Sequence, residues 1–151
     1  MTSSELMDRA FHAITTVMVQ TGRAPSHVEL VDRLGHDTGK TPVVLNDLMA
    51  TGCPGWLEEN YAFVTICPFS NRPNQYKISV DGEQKWFGQR GIESLAVCRL
   101  FPGRLVRIEN LCPDRDEPSV VEMRDGDVEL CVPEGAVVHD NVPSDKPWPD
   151  R

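Results

Sequence analysis

The sequence predicts an α+β protein, with an N-terminal three-helix, winged-helix-like subdomain packed on a small mixed β core that carries one short helix. Three observations predict it. Apolar residues recur at helical spacing in three segments of the first 52 residues. Short β-type segments follow, and Asp81-Gly82 and Asp125-Gly126 supply the turn residues of tight hairpins. Beyond residue 70, only the stretch around Glu93 returns to a helical pattern. The chain accordingly divides into a helical subdomain (1–66), a β core (67–139) and an irregular tail (140–151) rich in proline.

In residues 4–20, Leu6, Ala10, Phe11, Ile14, Val17 and Met18 share one helical face, and Ser3 or Ser4 caps the start. Ser26-His27-Val28-Glu29 is a capping box opening a second helix, with Val28, Val31 and Leu34 expected inward and Gly35 as the stop. Thr41-Pro42 offers an N-cap and an N1 proline to a third helix that ends at Gly52, with Val44, Leu45, Leu48 and Met49 as its stripe. A hairpin follows, 56–58 and 61–66 around Glu59-Asn60; three helices and a hairpin are the winged-helix pattern. Segments 76–80 and 84–87 flank Asp81-Gly82. The next helix is expected to run to Leu100, with Ile92, Leu95, Ala96 and Leu100 inward, and to stop at Pro102-Gly103. Strands at 105–109, 119–123 and 128–132 complete the core, with Val137 and Val138 as a further edge.

Charge narrows the range of functions. The 151 residues carry a net charge of −8. Residues 1–55 hold four basic groups (Arg9, Arg23, Arg33, Lys40) against six acidic ones, and the third helix has no Lys or Arg. A nucleic-acid reader needs cations for phosphates and Arg, Asn or Gln for base edges, so no nucleic-acid partner is expected. The same balance disfavours anionic membranes. No apolar run approaches the ~18 residues of a membrane span, and the N-terminus carries Glu5 and Asp8 where a signal peptide is basic, so a cytoplasmic protein is expected. Cys53, Cys67, Cys98, Cys112 and Cys131 are widely spaced and odd in number, which reads as reduced thiols. No zinc-type spacing occurs, and neither a metal nor a cofactor is expected. The acidic loop 114–117 lacks a calcium-binding pattern and reads as a solvated turn. Nothing indicates the oligomeric state.

The segment with most chemistry is Trp86-Phe87-Gly88-Gln89-Arg90-Gly91-Ile92-Glu93-Ser94-Leu95. It sets a cation and a carboxylate three residues apart at a helix entrance, where they share a face and can simply pair. The alternative is a working site, with Arg90 gripping a carboxylate or phosphate through its planar fork and Glu93 moving a proton. The helix start is a second attraction for an anion. Phe69, Tyr76 and Phe87 are candidate pocket aromatics, as readily explained by core packing. Asn74, with Asn71 and Gln75, is a candidate orienting group or a turn former. Cys112 is a candidate pocket residue, and Cys67, Cys98 and Cys112 leave a thiol-based soft-metal or metabolite trap open.

Together with Cys67-Pro68-Phe69-Ser70 and Arg107-Ile108-Glu109-Asn110-Leu111-Cys112-Pro113, that segment resembles the core of the alkylmercury lyase (organomercurial lyase) family. The resemblance implies an N-terminal helical subdomain and a reaction centre at the helix entrance. In that family two thiolates capture the metal and a carboxyl group protonates the carbon. At the first thiol position this chain has Arg90, and at the aspartate position Glu93. The second thiol is expected beyond residue 139, where the sequence to Arg151 contains no cysteine. Guanidinium has only N–H donors and cannot replace a thiolate on mercury. The resemblance therefore implies the scaffold with altered chemistry: a small, anionic organic substrate handled by proton transfer, with Arg90 as anchor and Glu93 as acid/base. A thiol-based binding protein and a transcriptional regulator are the other two readings.

Overall fold

The computed structural model describes residues 2–35, 39–51, 55–111 and 116–136. Helices α1 (Ser4–Thr21), α2 (His27–Leu34) and α3 (Thr41–Ala50) lead into strands β1 (Gly55–Leu57), β2 (Phe63–Ile66), β3 (Phe69–Ser70), β4 (Lys77–Val80) and β5 (Glu83–Gly88). Helix α4 (Gly91–Ala96) and a 3-10 turn, Val97–Leu100, precede β6 (Val106–Leu111), β7 (Pro118–Arg124) and β8 (Asp127–Val132). The strands form one sheet in the order β1-β2-β3-β5-β4-β6-β7-β8. This is the α+β class, helices first and sheet after.

The sheet is antiparallel at every pairing, where the sequence suggested a mixed one. The reason lies in the path of α4. Chain leaving β5 passes through α4 and enters β6, and these two strands run the same way, but β4 lies between them. No parallel neighbours arise, and α4 is carried over the end of β4. The hairpin formed by β1 and β2 belongs to the same sheet, joined through β2–β3 pairing at Thr65–Ser70 and Ile66–Phe69.

The helices and one sheet face share a single core. Ile14, Met18, Leu30 and Leu45 pack with Phe69, Ile78, Trp86, Val106 and Ile108, all buried. Burial of such side chains contributes roughly 1.5–3 kcal/mol apiece. The Trp86 indole N–H donates to the Met18 carbonyl at 2.8 Å, and its ring meets Phe101 edge-on at 5.0 Å between centroids. Asn71 ties the loop after α1 to β2: its Oδ1 accepts from Ala24 N–H and its Nδ2 donates to the Phe63 carbonyl. That use makes it a structural latch.

Several local expectations change. In α2 the capping box forms, but Leu30 and Leu34 face the core while Val28 is 66% exposed. The inward face is set by Leu30 and Leu34, starting two residues after the first valine. In α3 the N-cap is Lys40; Thr41 is the first helical residue and fully buried. After Glu93 the helix lasts only to Ala96 before tightening, and Ile92 and Ala96 are exposed while Ser94, Val97 and Cys98 are buried. Gly52, Cys53, Cys112, Asp114 and Arg115 of the acidic loop, Val137, Val138 and the tail lie outside the described residues. No helix among the described residues is long and apolar enough to cross a membrane.

Candidate functional site

Gly88 ends β5, Gln89 turns the chain, and Arg90 is the N-cap of α4 with extended backbone. The Arg90 carbonyl accepts the Ser94 N–H at 2.9 Å and also the Ser94 hydroxyl. Ser94 is fully buried because α4 sits directly on Gly88, where a Cβ would lie 1.8 Å from Ser94 Oγ. The glycine is thus required for close approach. Asn74 secures the same point: its Oδ1 accepts from Tyr76 N–H, and its Nδ2 donates to the Gly88 carbonyl, each at 2.8 Å. Gly88 N–H in turn donates to the Tyr76 carbonyl at 2.9 Å.

Strand register defines the floor beneath α4. Phe69 pairs with Gly88, and Gly88 lies beside Tyr76. Lys77 pairs with Glu109, so the next residue along β6, Asn110, stands opposite Tyr76. Phe69, Gly88, Tyr76 and Asn110 therefore form one row across β3, β5, the start of β4, and β6. Alternation puts this row on the face of Ile66, Trp86, Ile78 and Ile108, which is the helix face. Phe87 falls on the opposite face, opposite Ser70 and Lys77.

Arg90 and Glu93 stand together at the start of α4. Arg90 Nε lies 3.2 Å from Glu93 Oε1, with side-chain exposures of 29% and 16%. The terminal guanidinium nitrogens of Arg90 have no partner among the described residues. Glu93 Oε2 is buried without a hydrogen bond, and so are Gln89 Oε1, on the residue before Arg90, and Asn110 Oδ1 in the floor. A buried polar atom left unsatisfied costs about 1–3 kcal/mol, so each of the three is an acceptor with room for a donor. With six residues, α4 is too short to add an anion site of its own at its N-terminus. The chemistry rests on side chains alone: an outward fork of N–H donors and an inward carboxylate oxygen.

The structure thus brings Arg90, Glu93, Phe69 and Tyr76 to one end of the sheet, with Asn74 bracing Gly88 behind them. Phe87 is on the far face, and Cys112 is outside the described residues. Sequence reasoning passed over Ser94 and Gly88 as the seat of α4, and over Asn110. The two-residue alternation from Ile108 was the signal that places Asn110 inward. Two concavities lie elsewhere. One, about 520 Å³, runs between α1 and α2 along Arg9, His12, Thr16 and Arg33; the other, about 230 Å³, lies between the start of α2 and the β1–β2 turn. Cys98 is buried, its thiol donating to the Leu95 carbonyl, and Cys67 and Cys131 are half-buried. Among the described residues no group of three or more His, Cys, Asp or Glu is placed to hold a metal ion.

No family model and no curated protein matches this chain. Among solved structures it is similar to the mercury-bound form of MerB2, an organomercurial lyase, with a TM-score of 0.63 and 21% identity. The match covers 97% of this chain and 76% of that one. At such identity the likeness speaks to fold. The chain has an organomercurial-lyase-like α+β fold.

Proposed function

We propose that this chain is a divergent relative of the organomercurial lyases that acts on a small organic anion by proton transfer, as a lyase or isomerase, and does not cleave mercurials. One observation carries the reading: at the motif's reaction-centre positions, Arg90 and Glu93 pair through Nε and Oε1 while Oε2 is buried and without a donor. The Arg90 terminal nitrogens are left to grip a carboxylate or phosphate bidentately. Glu93 then sits beside the bound molecule as its base. Its carboxylate takes a proton from a carbon near the anionic group, and the electron pair left there is delocalised into a carbonyl bonded to that carbon or expels a leaving group from the adjacent carbon. The proton returns from Glu93 to carbon in an isomerisation, or to the leaving group in an elimination.

Phe69 and Tyr76 supply the apolar and aromatic floor, and Asn74 fixes the strand end on which α4 rests. Phe87 supports that strand from its far side, and Cys112 belongs to the surround through the motif alone. In this division the first 66 residues act as scaffold, and the segment 67–139 carries the chemistry. The substitution of guanidinium for a thiolate argues against capture of a soft metal.

Exchange in D₂O tests the reading. The protein is incubated with a panel of small 2-oxo, 2-hydroxy and 3-oxo acids, and deuterium on carbon is read by NMR. Incorporation into at least one acid is expected, with loss in both Arg90→Ala and Glu93→Gln. No incorporation across the panel, or equal rates in the variants, would refute it.

A further inference from the structure

We infer that the groove between α1 and α2 is a second ligand site, suited to a small organic phosphate and independent of Arg90 and Glu93. The way this chain uses its arginines points there. Nine arginines lie among the described residues, and Arg23, Arg72, Arg90, Arg104, Arg107 and Arg124 are each paired with a carboxylate. Arg9, Arg33 and Arg99 have no such partner among the described residues. Arg99 packs over Gly126, in the turn between β7 and β8. The other two line one concavity of about 520 Å³. In a chain of net charge −8, two uncompensated guanidiniums in one groove break the pattern that the other arginines follow.

Two helices build the groove. On α1, Arg9, His12, Ala13 and Thr16 recur at helical spacing and share a face. Arg33 and Leu34 are the last residues of α2, and Arg9 Nη2 donates to the Leu34 carbonyl at 3.3 Å. That bond holds the Arg9 guanidinium at the end of α2, while its Nε and Nη1 and the whole Arg33 fork keep no partner among the described residues. Asp8 is the one carboxylate on the lining, and it pairs with neither arginine. Two guanidiniums against one carboxylate favour an anion, and His12 adds a ring N–H. A phosphate monoester has more acceptor oxygens than a carboxylate and can serve both forks at once. The concavity falls within the range of small-molecule sites, about 300–1,000 Å³, so the phosphate is expected to carry an organic body. Ala13 and Leu34 offer that body apolar wall. Around the groove the subdomain is acidic, with four basic residues against six acidic ones through residue 55. The positive charge is therefore local and does not extend into a track for a nucleic-acid backbone.

Three probes test the site by NMR titration of the full chain: phenyl phosphate, inorganic phosphate and benzoate. Phenyl phosphate should shift the backbone amides of α1 and α2 along the groove saturably. It should bind about fivefold tighter, or more, than inorganic phosphate, which lacks the body, and than benzoate, which lacks the phosphoryl oxygens. Arg33→Gln, at an exposed side chain with no partner to lose, should weaken phenyl phosphate by about fivefold or more, and Arg9→Gln should do the same. Arg99→Gln and Arg90→Ala lie outside the groove and should change its affinity less than about twofold. If no probe moves the α1 and α2 amides, the inference is overturned, and the two arginines serve only the C-terminal end of α2. Shifts confined to α4 and abolished by Arg90→Ala would also overturn it, while supporting the role proposed for Arg90. Benzoate binding as tightly as phenyl phosphate would overturn the choice of phosphate. An equal loss in Arg99→Gln would reduce the effect to net charge and remove the site.

Discussion

Ser94 fills the space that any side chain at residue 88 would need: a Cβ on Gly88 would stand 1.8 Å from Ser94 Oγ and 2.8 Å from its Cβ. This contact sets the height of α4 above the sheet, and with it the position of Arg90, whose carbonyl holds the Ser94 hydroxyl. Gly88→Ala should therefore lift α4, destabilise the protein by about 1–3 kcal/mol as overpacking does, and displace the Arg90–Glu93 pair. Adding Ser94→Gly should recover part of that loss by vacating the space. Urea unfolding of the single and double variants measures both effects; additive losses would contradict the contact.

The ion pair itself is open to a double-mutant cycle. Arg90→Ala strips the partner from a carboxylate that is only 16% exposed, and should cost about 1–3 kcal/mol, between the values for surface and buried pairs. Glu93→Gln in the Arg90→Ala background should restore much of it, because a neutral amide is cheaper to leave without a cation. Full additivity in chemical denaturation would mean that the two side chains do not interact.

Trp86 anchors α1 to the sheet through one indole hydrogen bond. Trp86→Phe keeps most of the ring and loses the 2.8 Å bond to Met18, so a loss of about 1–2 kcal/mol is expected, including some lost packing. The Met18 carbonyl still accepts the Gly22 N–H, which limits the penalty. Calorimetric unfolding of the variant decides; an unchanged transition would show that the bond contributes nothing net.

Acid should loosen the start of α2 in a defined window. Arg23, followed by the Ser26 N–H and hydroxyl, lowers the Glu29 carboxyl from 4.5 to about 2. A group depressed on folding contributes stability that is fully present above its unfolded value and is lost as pH falls through its folded value. Between about pH 4.5 and pH 2 the wild type should lose stability more steeply than Glu29→Gln, which has nothing to protonate. Denaturation midpoints collected for both proteins from neutrality through that window test it. Parallel curves would remove Glu29 from the account.

Much of this fold was legible because local chemistry and tertiary structure agree. The capping box at Ser26 and Glu29, the Asp81-Gly82 and Asp125-Gly126 turns, and the α1 stripe from Ala10 to Met18 all appear where periodicity and turn residues place them. What escaped depends on contacts between distant segments. The inward face of α4 follows from Ser94 meeting Gly88, so Ile92, a good core residue on pattern alone, is left exposed. Strand direction depended on β4 inserting between β5 and β6, which no local window reveals. In the site, the juxtaposition of Arg90 and Glu93 was readable from helical spacing, whereas the unpaired oxygen of Asn110 required the register of Lys77 with Glu109.

The most direct measurement is of the Arg90 side chain during titration with an anion. In ¹⁵N-detected NMR, its Nε–H signal should shift saturably with sodium acetate and stay still with sodium chloride at equal ionic strength. The Glu93→Gln protein should show an altered starting position, because the pair is broken. A response no larger than that of Arg23 or Arg104 on the surface, or one matched by chloride, would mean that this guanidinium serves only its neighbour and holds no ligand.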